Sequence, residues 1–278
     1  MRGPKFENNT ADMDGAATAA MALKYPETIV GIKTAHYAGP EWTPVEQAVI
    51  AGTKANIPVM VDFGTDWPAR PLYDLLTVKL RPGDIYTHMY SGLRHEQDPD
   101  TLGPSKAFIE GRKRGVYFDL GFGGGSFKWS LAVPIVKAGF IPDSISTDLH
   151  ISSMNAAMKD ELNAADHILA LGVPLNEVVA EMTSHPAHEI KHDELGNLSV
   201  GSVADVAVLR LQKGAYGFTD MMNTRLDGNE RLICELTLKD GKVVYDLNGI
   251  STELWNKPPG PNAAQAYRWT TFARTPAR

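Results

Sequence analysis

The chain has 278 residues, 43 % apolar and 22 % charged, with 33 acidic and 27 basic side chains for a net charge of −6. That is an ordinary globular composition, long enough for one large domain or a domain with an appendage, and its sign argues against a nucleic-acid or anionic-membrane surface. The single cysteine, Cys234, excludes an internal disulfide, and no stretch approaches ~18 uninterrupted apolar residues.

The start, Met1-Arg2-Gly3-Pro4-Lys5, lacks an apolar signal core, so a reducing, cytoplasmic location is expected. The first predicted helix covers residues 11–24, rich in Ala and Met and stopped by Pro26. A strand over 28–36 follows, then a helix with Thr43 as N-cap, Pro44 at the first helical position and Glu46 closing a capping box. A strand over 57–62 leads to a helix around 72–79, and a strand ending at His88 leads to a helix near 105–114. The basic run Gly111-Arg112-Lys113-Arg114 reads as a solvated helix end.

The strand 116–119, a helix near 127–138 and a strand ending at Asp148 continue the alternation, and helices near 155–171 and 175–182 close it. Strands apolar on both faces and separated by helices mean parallel βαβ units, of which about five are visible. A closed (βα)8 barrel needs eight such units, whereas an open doubly wound sheet can have five. The run Gly121-Phe122-Gly123-Gly124-Gly125-Ser126 matches neither phosphate-binding fingerprint and reads as a loop needing positive φ or close backbone approach.

After Ile190 the texture becomes that of antiparallel strands, with Ala204 to Leu209, Glu235 to Leu238 and Lys242 to Tyr245 as candidates. The turn Lys239-Asp240-Gly241-Lys242 carries the Asp-Gly hairpin signal. Cys234 lies in this alternating run and reads as a buried structural thiol, with no activating neighbour.

Working residues in parallel α/β folds sit at the carboxyl ends of strands, which gives Lys33, Asp62, His88, Asp119 and Asp148. An ammonium ending a buried strand is costly unless paired or chemically changed. Reaction with CO2 would make Lys33 a carbamate able to bridge two cations, and imidazole and carboxylate suit Zn or a similar divalent ion. A carboxylate on the last strand could bind metal and take a proton from bound water. Each residue also has a plainer reading: Lys33 as an ion-pair partner of Asp62 or Asp148, His88 as a core histidine, Asp148 as a loop cap. His36 and His150 fall in loops on the same face, but nothing in their spacing makes them metal ligands. His188 and His192 have helical metal-pair spacing, yet Asp193, Glu194 and Gly196 argue for a solvated turn.

Several segments carry a resemblance: Val30-Gly31-Ile32-Lys33-Thr34, Pro58-Val59-Met60-Val61, Gly83-Asp84-Ile85-Tyr86-Thr87-His88, Phe118-Asp119-Leu120-Gly121 with Gly125-Ser126-Phe127, and Ser144-Ile145-Ser146-Thr147-Asp148. His185-Pro186-Ala187 and the run from Gly196 to Asp205 complete it. Over about residues 25–250 the chain resembles the amidohydrolase superfamily, within the deacetylase or dihydroorotase-like metallohydrolases.

The resemblance implies an α/β fold: a partial TIM-type (βα)8 barrel of strands four to eight with a small C-terminal β appendage. The expected organisation is barrel over 1–190, β-rich segment over 191–250 and extended tail over 251–278. Lys33 matches the carboxylated lysine of strand four, His88 the metal-binding histidine of strand six, and Asp148 the strand-eight aspartate that binds metal and shuttles the proton. Asp62 stands where the pattern has the strand-five histidine and is a fourth expected ligand. Phe122 replaces a loop histidine, and no strand-one His-x-His is present in the sequence.

The resemblance thus implies a metal-dependent hydrolase of an amide or ester bond, with one or two divalent ions, Zn foremost, and a small-molecule substrate. No nucleic-acid or membrane partner is expected. Uncovered sheet edges favour a homo-oligomer. The competing expectation is a truncated, catalytically silent fragment or binding pseudoenzyme lacking the first metal ligands.

Overall fold

A computed structural model of the chain describes residues 4–62, 64 and 67–257. Four short parallel strands, β1 (Ile32–Thr34), β2 (Val59–Val61), β3 (Ile85–Tyr86) and β4 (Tyr117–Phe118), lie side by side in chain order. The register places Lys33 beside Met60, Met60 beside Ile85, and Ile85 beside Tyr117. The ladder then runs one strand further. Leu120 N–H donates to the Ser144 carbonyl at 2.9 Å and Phe122 N–H to that of Ser146 at 3.0 Å, so the run ending at Asp148 is a fifth parallel strand. A doubly wound sheet reverses its order at a switch point, whereas a barrel sheet never does. The order here does not reverse.

Local chemistry explains most helix limits. Asp14 accepts from two amides to start Gly15–Lys24, Ser105 caps Lys106–Arg114, and Gly115 ends that helix at φ +92°. The capping box expected at Thr43 is not formed. Trp42 is the N-cap of Thr43–Ala55, Thr43 is already helical, and Glu46 instead reaches Lys79 at 2.6 Å. The helical stretch Leu72–Asp74 continues as a π turn, Leu75–Lys79, and the Arg114 guanidinium donates to the carbonyls of Thr77 within it at 2.5 Å and of Leu80 just past it at 3.1 Å. Arg112 likewise binds Asp143 at 3.0 Å and stacks over Phe140. The basic run ends the helix with Lys113 and Arg114 exposed, as expected, and Arg112 and Arg114 also tie that end to neighbouring elements.

By contacts the chain divides into two units: residues 1–202 with 212–232, and 203–211 with 233–278. In the first unit, Phe108, Phe118 and Phe140 pack with Tyr86 under the sheet. A second aromatic cluster joins Phe122, Phe127 and Trp129 to His167, with Trp129 stacked on the imidazole at 5.0 Å. Asp220 fastens this cluster by accepting the Trp129 N–H at 3.0 Å.

Three strands, β5 (Val206–Thr219), β6 (Arg225–Lys239) and β7 (Lys242–Asp246), form a second sheet in that order. In the second unit β6 and β7 are antiparallel and turn at Asp240 and Gly241, both at positive φ, as the Asp-Gly signal requires. β5 and β6 are far longer than the candidate strands of the sequence. Cys234, on β6, is half-buried beside the Thr237 hydroxyl. Of the extended tail expected over 251–278, residues 258–278 lie outside the described residues.

Candidate active site

Parallel pairing aligns the strand ends, so the residues just past each strand meet their neighbours at one rim. The Asp62 N–H donates to the Thr34 carbonyl at 3.0 Å and the Thr87 N–H to the Val61 carbonyl at 3.2 Å. His36 and His88 both leave their strands at positive φ, +57° and +63°, which turns their rings back over the rim. The Nε2 atoms of His36 and His88 stand 3.2 and 3.4 Å from the same Asp62 oxygen, Oδ2. The other ring nitrogen of His88 lies 2.5 Å from the Gly121 carbonyl; a carbonyl only accepts, so Nδ1 carries a proton there, while Nε2 faces Asp62.

The second Asp62 oxygen binds Arg94, whose Nη2 donates to it at 2.6 Å, and the Gly64 N–H at 3.3 Å. Asp62 is 5 % and Arg94 3 % exposed. Burial pushes the Asp62 carboxyl upward, but the His88 hydrogen bond and the charges of Arg94, His88 and His36 outweigh it and hold the group well below the usual carboxylate range. Arg94 is anchored in turn. Its Nε donates to the Gly64 carbonyl at 2.9 Å and its Nη1 to Ser91 Oγ at 3.3 Å. Its own N–H donates to the fully buried Glu96, which also accepts from Ser91.

The other expected residues lie apart from this cluster. Lys33 is exposed on β1, which among the described strands pairs only with β2, and it makes no ion pair among the described residues. The buried lysine read from the sequence is thus not seen; with one paired neighbour the strand leaves that position open to solvent. Asp148 ends the fifth strand half-buried, its N–H on the Phe122 carbonyl. A Cβ on Gly123 would stand 2.8 Å from that of Asp148, so the glycine-rich loop serves close backbone approach.

Asp119 is buried and accepts from Thr87 at 2.5 Å, Ser146 at 2.7 Å and Ser144 at 3.0 Å; burial pushes its carboxyl up against those donors. His150 caps the short helix Ile151–Met154; His188, exposed in the last turn of the helix Ser184–Glu189, pairs with Asp193, and the half-buried His192 pairs with Glu194 in the turn that follows. Two members of the cluster were not among the site residues expected from sequence. His36 carried a signal, its place just past a strand end, but Arg94 carried none beyond its polar neighbourhood.

The loops after β2 and β3 also wall a cavity of about 650 Å3, lined by Trp67, Leu72, Tyr73, His95, Pro99 and Lys106 among others. Such a volume suits a small organic molecule.

No family model matches the chain. It is 33 % identical to a deacetylase of Brucella anthropi over 201 residues, 70 % of this chain and 48 % of that protein. A deacetylase of Agrobacterium fabrum is 34 % identical over 203 residues, with the same 70 % and 48 % coverage. The chain spans about half the length of these curated relatives. Among solved structures, an adenine deaminase matches with a TM-score of 0.78 at 25 % identity, over 84 % of this chain and 64 % of the other. A dihydroorotase matches with a TM-score of 0.75 at 27 % identity, over 88 % and 64 %.

The chain belongs to the amidohydrolase superfamily.

For a superfamily member, the question is whether these residues fit a divalent ion. Among the described residues, no group of three or more His, Cys, Asp or Glu side chains could hold one. Asp62, His88 and His36 converge, but Asp62 already carries the fixed positive charge of Arg94, and Lys33 is exposed without an ion-pair partner among the described residues. The four expected ligands do not fit the group in this arrangement. No helix among the described residues is long and apolar enough to cross a membrane.

Proposed function

We propose that the chain carries part of the active site of an amidohydrolase-type hydrolase that cleaves an amide or ester bond of a small molecule. The observation behind this reading is the convergence of His88, Asp62, His36 and Arg94 at the strand ends. In this reading the barrel of the superfamily is represented by strands four to eight, and the substrate binds at their ends. Water attacks the carbonyl carbon, and the Asp148 carboxylate at the end of the fifth strand takes its proton and passes it to the departing amine or alkoxide. His88, oriented by the Gly121 carbonyl, and Asp62 hold water and substrate at the rim.

The expected divalent ion, Zn foremost, has no three-donor seat among the described residues, and no step is assigned to it. That same observation favours the second reading, a catalytically silent fragment or binding pseudoenzyme. One assay separates the two. The purified chain is offered N-acetyl amino acids, acetate esters and a cyclic amide, with Zn and bicarbonate or with a chelator. Turnover lost in Asp148→Asn and His88→Gln variants that melt like the parent supports the hydrolase, and loss to chelator establishes metal dependence. No turnover under any of these conditions leaves the silent reading.

A further inference from the structure

We propose that Arg94 is the standing counter-cation of Asp62, so that Asp62 positions the strand-end imidazoles and takes no metal ion. A carboxylate this buried needs a compensating charge. A divalent ion is one way to supply it. Here a guanidinium does so, with Nη2 at 2.6 Å from Oδ1. Oδ2 is also engaged, standing 3.2 Å from His36 Nε2 and 3.4 Å from His88 Nε2.

Three features make Arg94 a fixture rather than a passing neighbour. It is 3 % exposed. Its Nε and Nη1 are tied to the Gly64 carbonyl and Ser91 Oγ, which lie in two different loops. Its backbone N–H and Ser91 together satisfy Glu96, which has no exposure to water. Moving the Arg94 side chain aside for a metal would take from the Gly64 carbonyl and Ser91 Oγ the donors that the guanidinium supplies. A metal added with Arg94 in place would set like charges against each other across one carboxylate. A guanidinium, always charged and fixed in plane, cannot give way by losing its proton.

The test counts zinc. The full chain and its Asp62→Asn variant are incubated with zinc chloride and bicarbonate, dialysed and analysed by inductively coupled plasma mass spectrometry, with melting temperatures taken with and without zinc. Equal zinc in both proteins is expected, and no zinc-dependent rise in melting temperature that requires Asp62. Arg94→Met, which strips Asp62 of its counter-charge, should gain about one equivalent of zinc and be stabilised by it, whereas Arg94→Lys should not. Loss of about one equivalent from the parent on Asp62→Asn would overturn the proposal. So would an Arg94→Met protein that folds yet gains no zinc. Should Arg94→Met fail to fold, the parent and Asp62→Asn decide between them. No readout here uses hydrolysis, so failure of the hydrolase reading would leave the result intact.

Discussion

His88 leaves β3 in the left-handed region, and Gly121 makes the room that it needs. A Cβ at Gly121 would stand 2.7 Å from His88 Nδ1 and 2.9 Å from its backbone N, and would also strike the Thr87 hydroxyl. Gly121 itself sits at φ +54°, so a side chain there is strained twice over. Gly121→Ala should therefore destabilise the protein by about 2 kcal/mol or more and push the imidazole off Asp62. Thermal melting reads the first effect, and the hydrolysis assay the second. A variant that melts like the parent would show that the close approach of Gly121 to His88 does not matter. The glycine-rich run was legible from sequence as a backbone requirement, but which side chain it serves was not, because residues 88 and 121 meet only through the sheet.

At the level of elements, one helix end is held to the fifth strand by a carboxyl group, that of Glu189, and a second carboxyl, that of Glu181, is buried near the end of the preceding helix. The Ser144 hydroxyl lies 3.0 Å from both Asp119 Oδ1 and Glu189 Oε2. A hydroxyl has one proton, so if it donates to Asp119, Glu189 must donate to it and hold a proton. Burial pushes Glu189 up to about 8, with neighbouring Asp119 adding to the shift and Ser144 opposing it. Glu181 is also pushed up to about 8 by burial, then by Glu177 and Asp143, against Arg112, and neither of its oxygens has a partner among the described residues.

In the unfolded chain both titrate near the ordinary glutamate value, so between about pH 4.5 and 8 the native state holds the extra protons. Stability should then be full below that window and fall by about 1.4 kcal/mol per pH unit per group as pH rises through it. Glu181→Gln and Glu189→Gln should each flatten the fall, being more stable than the parent at pH 8 and indistinguishable at pH 4.5, as read from urea midpoints. Equal slopes in parent and variants would refute the protonated assignment. The helices themselves were largely readable. Their caps were less so: Thr43 lost the N-cap to Trp42, and Arg112 and Arg114 were spent on Asp143 and on the carbonyls of a π turn that periodicity does not reveal.

For the molecule as a whole, the parallel strands succeed one another without reversal, and β1 carries a paired strand on one side only among those described. Such an edge offers unpaired amide and carbonyl groups to another chain. We expect concentration-dependent self-association of the purified protein in sedimentation velocity. A chain that stays monomeric at its solubility limit would contradict this.

Alternation of apolar strands with helices was enough to determine parallel βα units and the residues that end them, because period and capping are written locally. Lys33, Asp62, His88 and Asp148 could be named that way. Whether strand-end residues touch depends on register and on turns at positive φ. Tertiary structure alone therefore brought His36 and His88 onto one oxygen of Asp62, left Lys33 exposed at an edge, and drew Arg94 from a distant loop to supply the charge that buried carboxylate requires.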